Sequence, residues 1–157
     1  MKTLLLAIGK TDEDYLSAGI RKYLGRIGHY VPFEMKERPD PRNRKTLGEE
    51  QQKKAEAALI AEQLQPSDHV VLLDENGKQL TSVGFAQNIE KQMVAGTKRV
   101  VFVIGGPYGF AQEVYDRANA KLSLSPMTFS HQMVRLIFVE QLYRAFTILK
   151  GEPYHHP

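Results

Sequence analysis

Three short runs of this chain are apolar at consecutive positions: Leu4-Leu5-Leu6-Ala7-Ile8, Val70-Val71-Leu72-Leu73 and Val100-Val101-Phe102-Val103-Ile104. Successive side chains of a strand point to opposite faces, so a strand with no polar position must be covered on both sides. Between these runs the apolar residues fall at helical spacing, as at Leu16, Ile20, Tyr23, Leu24 and Ile27. Buried strands alternating with amphipathic helices predict an α/β fold, a mostly parallel sheet with helices covering it.

The pattern predicts strands at Lys2–Ile8, near His29–Met35, at Val70–Leu73 and at Arg99–Ile104. Helices are expected from Thr11 or Asp12 to about Ile27, over Leu47–Leu64, from Thr81 or Ser82 to about Ala95, from about Ala111 to Ala120, and over His131–Lys150. Asp74-Glu75-Asn76-Gly77 reads as a turn, and Lys121–Phe129 as a short strand or extended segment. No repeat or long linker divides the 157 residues, so the expectation is a single domain over 1–157.

Composition narrows the function classes. There is no cysteine, which excludes disulfide frameworks, thiolate nucleophiles and Cys-type metal sites. His29, His69 and His131 show no ligand spacing and His155-His156 are adjacent, so no metal is expected. The apolar runs are too short to span a bilayer, and Leu4–Ile8 is too brief for a secretory signal, which predicts a cytoplasmic protein without membrane contact. A net charge of +3 is mild, but Lys36, Arg38, Arg42, Arg44 and Lys45 gather in one stretch with Pro39 and Pro41. Such a proline-stiffened basic loop can follow phosphates or be a solvated connector.

Ligands of open α/β sheets bind outside the carboxyl ends of the strands. Gly105-Gly106-Pro107-Tyr108-Gly109 leaves one such end; it permits close backbone approach, although a plain strand-to-helix turn is the more frequent meaning of such a run. In residues 122–132, Ser123, Ser125, Thr128 and Ser130 alternate with Leu122, Leu124, Met127 and Phe129. That pattern offers peptide groups from an apolar rim, suited to a flat, uncharged ring, or else a strand followed by a Ser130 helix cap. From Met133 to Leu149, 12 of 17 residues are apolar or aromatic, more than one sheet-facing stripe requires. The helix is expected to lie at the core's centre or, preferably, under a second subunit in a homodimer. The ending Glu152-Pro153-Tyr154-His155-His156-Pro157 reads either as a frayed tail or as stacking and titratable groups on a stiffened chain.

The ordered set FVIGGPYGF, LSLSPMTFSHQMVRLIFVEQLYRAF and a terminal PYHHP, with MKTLLLAIGK and LLDENGK before it, resembles the ribosomal RNA large subunit methyltransferase H family over the whole chain. This is the small, single-domain branch of the SPOUT methyltransferases. The resemblance implies a C-terminal trefoil knot and methyl transfer from S-adenosylmethionine to N3 of a pseudouridine in large-subunit (23S) ribosomal RNA, within the assembled ribosome. By motif position it implies that Leu73, Gly105, Gly106, Leu124, Ser125, Pro126, Met127, Thr128 and Phe129 hold the cofactor. Arg144, Tyr154 and His155 would stand on the substrate side: His155 as base, Arg144 stabilising the anion, Tyr154 stacking on or bonding to the base. In the implied dimer one subunit's tail and basic loop would complete the other's site. Readings that keep less of this are another RNA acceptor, a non-catalytic ribosome-binding or assembly factor, and a flavodoxin-like small-molecule enzyme.

Overall fold

A computed structural model of the chain describes residues 1–41 and 45–157; Arg42 and Arg44 of the basic stretch lie outside the described residues. Strands and helices alternate strictly: β1 (Lys2–Ile8), α1 (Asp14–Ile27), β2 (Phe33–Arg38), α2 (Glu49–Ala61), β3 (His69–Gln79), α3 (Ser82–Val94), β4 (Arg99–Ile104), α4 (Gln112–Arg117), β5 (Ala120–Ser123) and α5 (Met133–Leu149). The strands form one sheet in the order β2-β1-β4-β3-β5 with every pairing parallel, the α/β sheet expected.

The apolar runs work as the two-faced burial argument requires. Leu5, Ala7, Val71, Val100, Phe102 and Ile104 face one core with residues of α1, α3 and α5. Leu4, Leu6, Ile8, Val70, Leu72, Val101 and Val103 face a second core with residues of α2 and α4. Helix α5 lies centrally in its layer, packed against both α1 and α3. It buries Phe138, Val139, Leu142, Ala145 and Phe146, and Phe138 meets Phe102 at 4.7 Å between ring centroids. Much of its apolar circumference is therefore used inside the chain, and the preference for a covering subunit does not follow from burial alone. Ile137, Tyr143 and Ile148 stay half-buried.

Several local expectations are corrected. Helix α1 begins at Asp14 without a side-chain cap, because Thr11 turns instead to Glu37, its hydroxyl bonding the carboxylate at 2.8 Å. The second strand lies at 33–38, so Lys36 and Arg38 are strand residues rather than members of a loop. Helices α2 and α4 are shorter than predicted, whereas β1, β4 and the Thr81 cap of α3 stand where the sequence put them.

The Asp74–Gly77 turn is built into β3 as a register shift: Leu122 of β5 pairs with Leu73 and again with Lys78. A Cβ on Gly77 would sit 2.7 Å from backbone atoms of Lys121 and Leu122, so only glycine lets these two chain segments cross so closely. This crossing sets the level at which residues 122–130 leave the sheet.

Candidate functional site

The parallel arrangement brings the carboxyl ends of β4 and β5 level with the Asp74–Gly77 register shift inside β3. That bulged segment and the loops leaving β4 and β5 enclose a cleft of about 620 Å³, within the range of small-ligand sites. Its walls are Leu73–Asn76 from β3, Ile104–Phe110 after β4, and most of 122–130 after β5, with Glu49, Tyr115, His131 and Val134 at the margins. Of the nine positions named from the resemblance, Leu73, Gly105, Gly106, Leu124, Ser125, Met127, Thr128 and Phe129 line this one space. Pro126 does not; it is exposed at the outside of the bend.

The loops are held by their own hydrogen bonds. Ser123 Oγ donates to the Ser125 carbonyl at 3.0 Å, and Ser125 Oγ accepts the Met127 N–H at 2.9 Å. Ser130 Oγ accepts the Met133 N–H at 3.0 Å, the capping role predicted for it, although α5 itself starts at Met133. Across the cleft Asp74 accepts the Asn76 N–H at 2.8 Å and the Tyr115 hydroxyl in a short bond. Burial and that carboxylate push the Tyr115 phenol up to about 12. With these serine side chains bonded to their own loop, the loop can offer a ligand peptide groups on an apolar rim. Glu49, Asp74 and Glu75 border the cleft, and no Lys or Arg is among its described lining residues. Such a wall favours a ligand that carries positive charge.

Two buried charges behind the cleft were not singled out from the sequence. Arg135 has no exposed surface; its guanidinium donates to the Ile8 carbonyl (2.9 Å), the Gly9 carbonyl (2.8 Å), Thr11 Oγ1 (2.9 Å) and the His131 carbonyl (3.0 Å). It ties the end of β1 to the start of α5. Glu56 of α2 is 3% exposed and accepts the Gly106 N–H at 3.1 Å and the Gln52 amide at 3.1 Å. In the sequence Arg135 reads only as a break in an apolar helix, and Glu56 as one of many polar residues of α2. The available signal was spacing: Gln52, Glu56 and Ile60 share one helical face, which is buried.

Arg144, Tyr154 and His155 do meet, but away from the cleft. Arg144 pairs with Glu140 at 2.5 Å, lies 4.7 Å above the Tyr154 ring and reaches His155 Nδ1 at 3.3 Å. Tyr154 donates to Glu140 at 3.0 Å and lies 3.4 Å from the Tyr23 hydroxyl; burial and these partners raise its phenol well above the ordinary range. The tail is anchored, since Glu152 accepts the Tyr30 hydroxyl at 2.8 Å and Tyr30 stacks on Phe146. None of the three lines the cleft. From Val134 at the cleft to Arg144 is ten residues of helix, about 15 Å.

Among the described residues no helix is long and apolar enough to cross a membrane, and no group of three or more His, Asp or Glu is placed to hold a metal. A parallel α/β sheet with a cleft walled by three segments beside its strand ends is the architecture of α/β proteins that bind small ligands there. Comparison with known proteins is specific. The family described as "Predicted SPOUT methyltransferase" matches residues 1–155. Proteins named "Ribosomal RNA large subunit methyltransferase H" match over 156 residues, 99% of this chain and 99% of their own: at 60% identity in Christiangramia forsetii, 57% in Parabacteroides distasonis and 56% in Bacteroides fragilis. The chain belongs to the SPOUT methyltransferases and, within them, to the ribosomal RNA large subunit methyltransferase H family.

Proposed function

We propose that this protein methylates N3 of a pseudouridine in 23S ribosomal RNA, using S-adenosylmethionine and acting in the cytoplasm on the assembled ribosome. The observation that carries the reading is the cleft, where eight positions singled out from three separate sequence segments converge on one space. The residues present suit the donor. Serine-tied loops beside Leu73, Leu122 and Leu124 suit the edge and faces of adenine, and the wall with Glu49, Asp74 and Glu75 suits a sulfonium and an ammonium group. That donor supplies an electrophilic methyl group, so the work of the chain is to orient donor and nucleophile.

N3 of the base is a poor nucleophile while it carries its proton. Arg144 would stabilise the anion left on the ring when that proton departs, and Tyr154, held as a neutral phenol, would stack on the base or bond it. His155 would take the proton. Its Nδ1 now faces the Arg144 guanidinium, so its lone pair becomes available only when Arg144 turns to the substrate. Held by Leu73, Gly105, Gly106, Leu124, Ser125, Met127, Thr128 and Phe129, the donor would supply its methyl group to that nitrogen and would leave as a neutral thioether.

Arg144 stands near the far end of α5, with Tyr154 and His155 of the tail folded against it, and none of the three lines the cleft of its own chain. The reading therefore includes a homodimer in which the tail of one subunit closes the cleft of the other. Ribosomes lacking the modification, incubated with purified protein and methyl-labelled S-adenosylmethionine, are expected to take label into 23S RNA. Label at another nucleotide would move the acceptor, and no label with no donor binding would leave a non-catalytic ribosome-binding factor.

A further inference from the structure

Glu56 is a buried carboxylate that the account above does not use, and it stands directly behind the cleft. Its Oε1 accepts the Gly106 N–H at 3.1 Å, while the Gln52 amide holds Oε2 at 3.1 Å. The fit is tight enough that a Cβ on Gly106 would run into this carboxylate. Burial pushes the Glu56 carboxyl up, and the bonds from Gln52 and Gly106 pull against that shift. A carboxylate kept nearly dry to receive one backbone amide fixes the orientation of that peptide.

The consequence follows from peptide geometry. In a planar trans peptide the carbonyl of residue 105 is antiparallel to the N–H of residue 106. With the Gly106 N–H committed to Glu56, the Gly105 carbonyl is turned away from Glu56, which does not line the cleft, whereas both glycines do. We infer that Glu56 is a positioning residue for the donor: it sets the Gly105–Gly106 peptide so that a carbonyl, not an N–H, faces the bound ligand and accepts one of its amino hydrogens. The inference rests on the donor reading above. Without Glu56 the peptide is free to flip and present a donor group to a donor-rich ligand.

The test compares Glu56→Met, which keeps the length but removes the acceptor, with Glu56→Gln, whose side-chain oxygen can still take the Gly106 N–H once the Gln52 amide turns over. Thermal melts first establish that both variants fold. Glu56→Met is expected to raise KM for S-adenosylmethionine about tenfold, the loss of one well-placed hydrogen bond. Its kcat and its KM for ribosomes should stay within about twofold of wild type, and Glu56→Gln should restore donor KM to within about threefold. A general loosening that lowers kcat, or equal donor KM in all three proteins, would overturn the inference. Amide hydrogen exchange in the ligand-free protein separates this from failure of the donor reading. Gly106 N–H should be protected in wild type and in Glu56→Gln and exchange freely in Glu56→Met. If that pattern holds while wild type binds no S-adenosylmethionine, the donor reading fails and takes the proposed purpose of the carbonyl with it. If Gly106 exchanges alike in all three, the positioning role fails.

Discussion

Replacing Arg135 by Met should destabilise the protein by about 3 kcal/mol. The guanidinium is wholly buried, and four acceptors depend on it: the Ile8, Gly9 and His131 carbonyls and Thr11 Oγ1. Thr11 keeps its bond to Glu37, and His131 lies nearer the surface. The Ile8 and Gly9 carbonyls, at the end of a buried strand, carry the cost. An unsatisfied buried acceptor costs about 1–3 kcal/mol, so two cost about 2–6. Against this, removing Arg135 also removes the desolvation of its own charge, which pulls its pKa below the ordinary value. The balance is a loss of about 3 kcal/mol, or a fall in Tm of about 6–12 °C for a chain of this length. Denaturant unfolding monitored by circular dichroism gives the free energy, and calorimetry gives Tm. A variant within about 0.5 kcal/mol of wild type would refute the view that this side chain fastens β1 to α5.

Acid should weaken the protein through Asp68. Burial pushes its carboxyl up, but Arg99, bonded at 2.6 and 2.8 Å, and the Gln65 N–H hold it net below the usual carboxylate range. A depressed carboxylate contributes stability that is present above the unfolded pKa and disappears as pH falls through the folded one. Asp68→Asn should therefore be the less stable protein at neutral pH, with a flatter decline between about pH 5 and 2; parallel declines would refute the pairing. Tyr115→Phe should weaken S-adenosylmethionine binding about three- to tenfold by freeing the Asp74–Gly77 loop, and should remove one late-titrating phenol from the ultraviolet titration. Unchanged calorimetric binding would show that this anchor does not shape the cleft. Arg144→Ala and His155→Ala should each lower the methylation rate at least about a hundredfold while donor affinity stays within about twofold. Full activity in both variants would remove them from the substrate side. Affinity for ribosomes should fall as salt rises if phosphates carry the binding, and a flat dependence would contradict that.

Residues whose structure is dictated by their neighbours in sequence were legible from the chain alone. Strands β1 and β4 stand at the predicted limits because a run of apolar residues has no other place to go. β2 is expected as a strand but lies a few residues later than the pattern suggests, because as the sheet's edge strand it mixes Glu34, Lys36 and Arg38 with Phe33 and Met35 and leaves only a weak alternation. The start of α1 differs from the expectation because the Thr11 hydroxyl, which has the chemistry of a cap, bonds the distant Glu37, while Gln132 accepts the Asp12 main-chain N–H. The cleft followed the same division. Glycines after a strand and a serine-rich extended segment mark, locally, the loops that line the cleft. The carboxylate behind Gly106 comes from a helix 50 positions earlier, and the guanidinium behind Gly9 from 126 positions later. No spacing rule joins such pairs, and only the packed structure brings them together.

Mapping the modification in cells tests the central claim most directly. 23S RNA from a strain lacking this protein and from the same strain complemented with it can be digested and compared by mass spectrometry. The account predicts one added methyl group, on N3 of a pseudouridine, present only in the complemented strain and abolished by changes at Arg144. Identical RNA from both strains, or a difference confined to another nucleotide, would contradict it.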